Sequence, residues 1–208
     1  MLLMQRLKRL LRSSGPVLTV AIIAVNVIVF LIMAVSDNTD VYGAYRFGAI
    51  WYDDVTGGEW WRLLTACFLH FGFLHLAGNM FSLFAVGSVT EKNGRRIIWL
   101  IAYFAGGVGG GLVSMLAGHA QGADAVSAGA SGCICSLVGL YIAELVFDRG
   151  GFSFDKLVRP LIAVAILLFS GSGDPQTDLT AHAAGLIIGA ITGLAAGLFV
   201  PHRRYGGI

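Results

Sequence analysis

Two residues suited to acyl transfer open two apolar stretches of the chain: Ser131 within Gly129-Ala130-Ser131-Gly132, and His182 within Ala181-His182-Ala183-Ala184-Gly185. A serine hydroxyl is a weak nucleophile until a neighbouring base takes its proton, and an imidazole is the usual base. The glycines flanking Ser131 permit a tight turn that leaves the hydroxyl uncovered. A helix starting there would also aim unpartnered backbone N–H groups at a developing anion. His75 and Asn79 stand four residues apart, on one helical face, where their N–H donors could stabilise the oxyanion of a tetrahedral intermediate. The chemistry implied is hydrolysis of an acyl bond where water is scarce.

The elements that must position these groups are membrane helices. Of 208 residues, 56% are hydrophobic and only 12% charged, with a mean hydropathy of +0.77, too apolar for an ordinary soluble domain. Windows without Asp, Glu, Lys or Arg cover residues 17–35, 63–90, 97–123, 125–143 and 179–200. At about 1.5 Å per residue, each can cross a hydrocarbon core of roughly 30 Å as a helix. Residues 157–169 make a shorter sixth stretch, interrupted by Arg159 and Pro160. Proline is tolerated in a first helical turn, and arginine can snorkel. The expected fold is an all-α membrane protein, a bundle of six transmembrane helices with a long, partly helical first external loop over residues 36–62.

Charge sets the expected topology. With the loops assigned alternately to two sides, every basic residue except Arg46 and Arg62 falls on one side, which the positive-inside rule makes cytoplasmic for a six-span chain with both termini inside. A five-span chain would strand Arg203 and Arg204 outside. Arg6, Lys8, Arg9 and Arg12 precede the first apolar run, but that run exceeds a signal-peptide h-region of roughly 7 to 15 residues, so a retained anchor is expected. Leu3, Leu7 and Leu10 share a face that would lie on the membrane surface. The chain thus divides into a basic segment 1–16, a membrane domain 17–200 and a short basic cytoplasmic tail 201–208. The first loop mixes acids with Trp51, Trp60, Trp61, Tyr42, Tyr45 and Tyr52, a composition suited to the headgroup interface.

In this topology spans two, four and six all begin at the external face, so His75, Asn79, Ser131 and His182 share one depth. A helix from Ser131 to Phe147 rises only about 25 Å, which sinks Ser131 below the external surface yet within reach of water. Serine in a membrane helix more often packs or hydrogen-bonds, and Ser82, Ser88, Ser114 and Ser136 are read that way. His70 can equally be a satisfied interhelical bridge. Glu91 and Glu144 sit near the cytoplasmic ends of spans and are read as structural. Zinc held by His70, His75 and His182 is disfavoured, because no His-Glu-x-x-His helix or accompanying carboxylate occurs at that depth, so no metal or cofactor is expected. Cys67, Cys133 and Cys135 read as buried hydrophobes. The glycines at 106, 107 and 109–111, with Gly185 and Gly189, suit close helix approach rather than nucleotide binding. No Lys/Arg block suits nucleic acid.

Taken together, Trp61-Arg62 in the first loop, His70 with His75-x-x-x-Asn79, Glu91, Gly129-Ala130-Ser131-Gly132, and Ala181-His182-x-x-Gly185-x-x-x-Gly189 make the chain resemble the rhomboid intramembrane serine proteases, over nearly its whole length. The resemblance implies a six-helix core with a Ser131–His182 catalytic dyad and no aspartate. It further implies an oxyanion hole of the Ser131 N–H with His75 and Asn79, and structural roles for Arg62 and Glu91. Span five and the loop 170–180, whose Ser/Gly/Pro composition looks flexible, would act as gate and cap. Family members often carry a tyrosine four residues after the serine, stacked on the histidine; here Cys135 stands there. The implied substrates are single-span transmembrane proteins in the bilayer, cut where their helix is weakened near the external face. The compact chain looks bacterial or archaeal in style. Two rivals are a catalytically silent relative that binds transmembrane helices and a small transporter lined by His70, His75 and His182.

Overall fold

The computed structural model describes residues 15–92, 95–147, 154–170 and 178–199. Most of the basic segment 1–16, the tail 201–208 and loop residues 171–177 lie outside the described residues. The helices are α1 (Val17–Val35), α2 (Val41–Arg46), α3 (Tyr52–Thr56), α4 (Arg62–Thr65), α5 (Gly72–Lys92), α6 (Arg96–Ala120), α7 (Ser131–Val146), α8 (Asp155–Ser170) and α9 (Leu179–Phe199). Of these, α1, α5, α6 and α9 are long and apolar enough to cross a membrane, and α7 is a shorter apolar helix. The described chain is an all-α membrane protein.

The second apolar window is not one helix. Residues 62–65 form α4, a 3₁₀ turn follows at Ala66–Phe68, and Leu69 is extended before α5 begins. Gly72 stands at the break with φ +79°, a conformation costly for any side chain, and its N–H donates to the Thr39 carbonyl at 2.9 Å. His70 is therefore held in a bend and does not share the α5 face of His75. The sequence also misplaces Pro160. Because α8 begins at Asp155, the proline lies in the second turn and removes one internal helical hydrogen bond.

Helix α7 forms the centre of the bundle. Nearly every residue from Gly132 to Leu145 is buried, as expected of a helix apolar all round. Its most extensive neighbour is α9, followed by α6, while α5 pairs with α8 and α1. Glycines make the α7–α9 seam possible. A Cβ at Gly185 would strike the Gly132 carbonyl, one at Gly189 the Ser136 carbonyl, and one at Gly193 would lie 2.9 Å from the Leu140 carbonyl. The three glycines recur every fourth residue, as do the three carbonyls they face; backbone lies directly on backbone at Gly185 and Gly189, and at Gly193 the small Ala143 side chain joins the contact. Ser136 fixes the third member by donating to the Ala102 carbonyl of α6 at 2.6 Å.

At the end of the bundle away from Ser131, Pro16 offers α1 no side-chain cap. The buried Glu91 carboxylate supplies one, accepting the Leu18 and Thr19 N–H groups at 2.9 and 2.8 Å and pairing with Arg96 at 3.1 Å. Glu144, also buried, lies 3.8 Å from Arg95.

The seam makes a prediction. Gly189→Ala must force α9 off α7 and should lower stability in detergent by about 1–3 kcal/mol, the usual cost of overpacking. Gly15→Ala, which meets nothing within 4 Å, should leave the unfolding midpoint unchanged.

Candidate active site

The first loop builds the rim. Asp40 caps α2 by accepting the Gly43 N–H at 2.7 Å. Arg62 closes its other end, donating to the Tyr45 and Ala49 carbonyls at 2.9 and 3.0 Å. Glu59 at 2.6 Å and Asp54 at 3.3 Å neutralise the buried guanidinium, which also lies over the rings of Tyr45 and Trp61. This folded loop then holds the serine segment. Ile50 and Ser127 exchange two backbone hydrogen bonds, at 2.9 and 3.1 Å, and the Gly129 N–H donates to the Ala66 carbonyl at 2.9 Å.

Gly129 has φ +137°, and a Cβ there would lie 3.0 Å from both Cε1 and Nε2 of His75. Only glycine suits this position on both counts. The turn delivers Ser131 as the first residue of α7, where the helix leaves its leading N–H groups without intrahelical partners.

His75 lies in the first turn of α5. Its Nδ1 accepts the Phe71 N–H at 3.3 Å, which assigns the ring proton to Nε2, the edge facing Gly129. Asn79, fully buried, donates one amide hydrogen to the His75 carbonyl at 2.8 Å, leaving its second N–H to the cavity. His70 packs edge-on against His75 with ring centroids 5.1 Å apart. Burial, and secondarily the neighbouring His75, push its pKa down to about 3. It is neutral at physiological pH.

His182 lies in the first turn of α9, and its N–H donates to the Asp178 carbonyl at 3.1 Å. Ser131, His182, His75 and Asn79 all line one cavity, walled on its apolar side by Ile50, Leu63, Ala66 and Leu167. Gly129 and Gly132 line it as well, whereas Gly185 and Gly189 lie below it in the seam. Arg62, His70 and Glu91 are outside it. Among the described residues no hydrogen bond joins Ser131 Oγ to the His182 ring, and His182 stacks on no aromatic ring. Its Nδ1 is buried and has no hydrogen-bond partner among the described residues. Cys135, where a stacking ring would stand, is a free thiol in the core, as are Cys67 and Cys133.

Sequence reasoning missed Asp178, which was grouped with the flexible loop. It caps α9, accepting the Ala181 N–H at 2.8 Å and the hydroxyls of Ser114 and Ser127 at 2.6 and 2.9 Å. The signal was present: an aspartate just ahead of an apolar helical run is a capping residue.

An all-α membrane bundle carrying a serine and a histidine at adjacent helix starts defines a class, and comparison with known proteins gives the family. The rhomboid domain model matches residues 57–199, and the chain belongs to the rhomboid family. It is 31% identical over 190 residues to rhomboid protease GluP of Bacillus subtilis (strain 168), 35% identical over 149 residues to RHOMBOID-like protein 5 of Arabidopsis thaliana, and 30% identical over 152 residues to rhomboid-like protease 2 of Toxoplasma gondii. These alignments cover 90%, 71% and 71% of the chain, but only 36%, 48% and 52% of the relatives' own lengths.

The turn at Gly129 can be tested without any substrate. Gly129→Ala should destabilise the fold by about 1–3 kcal/mol, through the left-handed backbone and the clash with His75. In the double variant His75→Ala/Gly129→Ala the clash is gone and only the backbone cost remains. A double-mutant cycle on unfolding midpoints should therefore show favourable coupling between the two substitutions.

Proposed function

We propose that this chain is an intramembrane serine endopeptidase that cleaves peptide bonds within or beside the transmembrane helix of other membrane proteins, single-span ones foremost. The observation that carries this reading is the meeting of Ser131, His182, His75 and Asn79 in one cavity at the starts of three apolar helices. Polar and ionisable groups are costly in such helices and mark function when they converge. Membership of a family with relatives named proteases supports it.

In the proposed reaction His182 takes the Ser131 proton as Oγ adds to the scissile carbonyl carbon. The resulting oxyanion is met by the Ser131 N–H, the Nε2–H of His75 and the second amide hydrogen of Asn79. Collapse breaks the C–N bond, and His182 protonates the departing amine. Water then attacks the acyl-enzyme, His182 takes its proton, and the Ser131 oxygen leaves with that proton to regenerate the starting state. Every proton is returned, so no cofactor or metal is needed in this scheme.

The topology proposed with it counts α7 and α8 as spans, giving six, with both termini cytoplasmic and the cavity open to the external side, on the strength of the basic-residue distribution. The domain 17–200 then holds the whole catalytic unit. Helix α8 is the proposed gate: it packs chiefly on α5 and only slightly on α7, yet Leu167 on it lines the cavity.

The test is cleavage of a panel of single-span proteins by the purified chain in liposomes. Ser131→Ala and His182→Ala should each abolish cleavage. Asn79→Ala, which removes one oxyanion donor, should lower kcat by about 10²-fold. Full activity in Ser131→Ala overturns the reading.

A further inference from the structure

Among the described residues, His182 Nδ1 has no hydrogen-bond partner and no aromatic ring stacks on the imidazole, so the usual devices for aiming it are not found there. Its position is inherited from the first turn of α9. One side chain ties that turn to its surroundings by hydrogen bonds. Asp178 Oδ1 accepts both the Ala181 N–H, within α9, and the Ser114 hydroxyl of α6, while Oδ2 accepts the Ser127 hydroxyl. Ser127 stands four residues before Ser131, in the segment pinned to Ile50. The Asp178 carbonyl takes the His182 N–H itself.

We infer that Asp178 is a positioning residue for the proposed reaction, a clamp whose carboxylate locks the start of the histidine helix to the serine loop and to α6 and so holds His182 in register with Ser131. The glycine contacts reach this turn as well, since the Ala181 carbonyl lies against Gly110 and Gly132, but they are packing contacts that leave the turn free of any hydrogen bond to α6 or the serine loop, which Asp178 supplies. The carboxylate closes the gap at the very end of the helix, where fraying is otherwise greatest. Two oxygens suffice because both serines donate and the third donor is a backbone N–H. An asparagine can occupy the same place, because its amide nitrogen can donate to the Ser127 oxygen once that hydroxyl rotates. An alanine leaves all three donors unpaired.

The inference rests on the proteolytic reading for its kinetic arm only. Asp178→Ala should lower kcat by about 10²-fold, the loss expected when reacting groups shift by roughly 1 Å, with KM little changed. Asp178→Asn should restore most of kcat. In amide hydrogen exchange of the detergent-solubilised protein, the segments 127–131 and 179–183 should exchange faster in Asp178→Ala and at the wild-type rate in Asp178→Asn. Ser114→Ala/Ser127→Ala keeps the cap of α9 but cuts both cross-links; it should show the same two effects and serves if Asp178→Ala fails to fold. Unchanged exchange in the variants overturns the clamp whether or not the chain cleaves anything. Faster exchange with undiminished kcat overturns the positioning role, as does an Asp178→Asn protein as impaired as Asp178→Ala. A wild-type chain that cleaves nothing sinks the protease reading, while the exchange data still decide the clamp.

Discussion

Everything near the site depends on two helix backbones lying in direct contact. Where Gly185 and Gly189 of α9 meet the backbone carbonyls of Gly132 and Ser136 on α7, no side chain separates the two helices. In lipid there is little hydrophobic gain from pairing helices, because the acyl chains are as apolar as leucine; dispersion between well-fitted surfaces must serve instead. Ser131 stands one residue above the first of those carbonyls and His182 three residues above the first of those glycines. The seam therefore sets how close the two side chains come, and it does so with rigid backbone rather than adjustable side chains.

A membrane bundle must also satisfy polar groups that water cannot reach, and here the same few side chains do that and fix geometry. Glu91 caps the bare start of α1 while pairing with Arg96, and Arg62 closes the carbonyl end of α2 between two carboxylates. A buried charge is costly unless fully partnered, so each such group tolerates very few arrangements of its neighbours. That restriction is useful. Arg62 folds the first loop into one shape, the loop offers its Ile50 backbone to Ser127, and Ser127 precedes the serine turn.

Much of this was legible in the sequence because lipid imposes simple rules: long apolar windows mark helices, and basic loops mark a side. Ser131, His182, His75 and Asn79 stood out as polar residues at helix starts, and the structure places them around one cavity. The remainder needed tertiary information. Residues 63–71 are apolar enough to continue a helix, and only the left-handed Gly72 and its bond to Thr39 show why they do not. Pro160 was expected in a first turn, but polar Asp155 and Lys156, outside the apolar window, begin the helix earlier. Asp178 read as loop because its partners, Ser114 and Ser127, are distant in sequence, and Ser114 looked like a packing serine.

The distribution of these ties divides the bundle into a fixed part and a looser one. Helices α6, α7 and α9 share the glycine seam, the Ser136 bond to α6 and the three bonds of Asp178, and none of these reaches α8. Helix α8 packs chiefly on α5, where the Ser82 hydroxyl donates to the Ala163 carbonyl at 2.9 Å. Moving α8 with α5 would disturb His75 and Asn79, whereas moving α8 away from α5 would break none of the glycine, Ser136 or Asp178 contacts. The proposed reaction, which must admit a long apolar segment and still hold a serine and a histidine in register, is suited by such an arrangement. The proposed gate and the proposed reacting groups then belong to different sets of contacts.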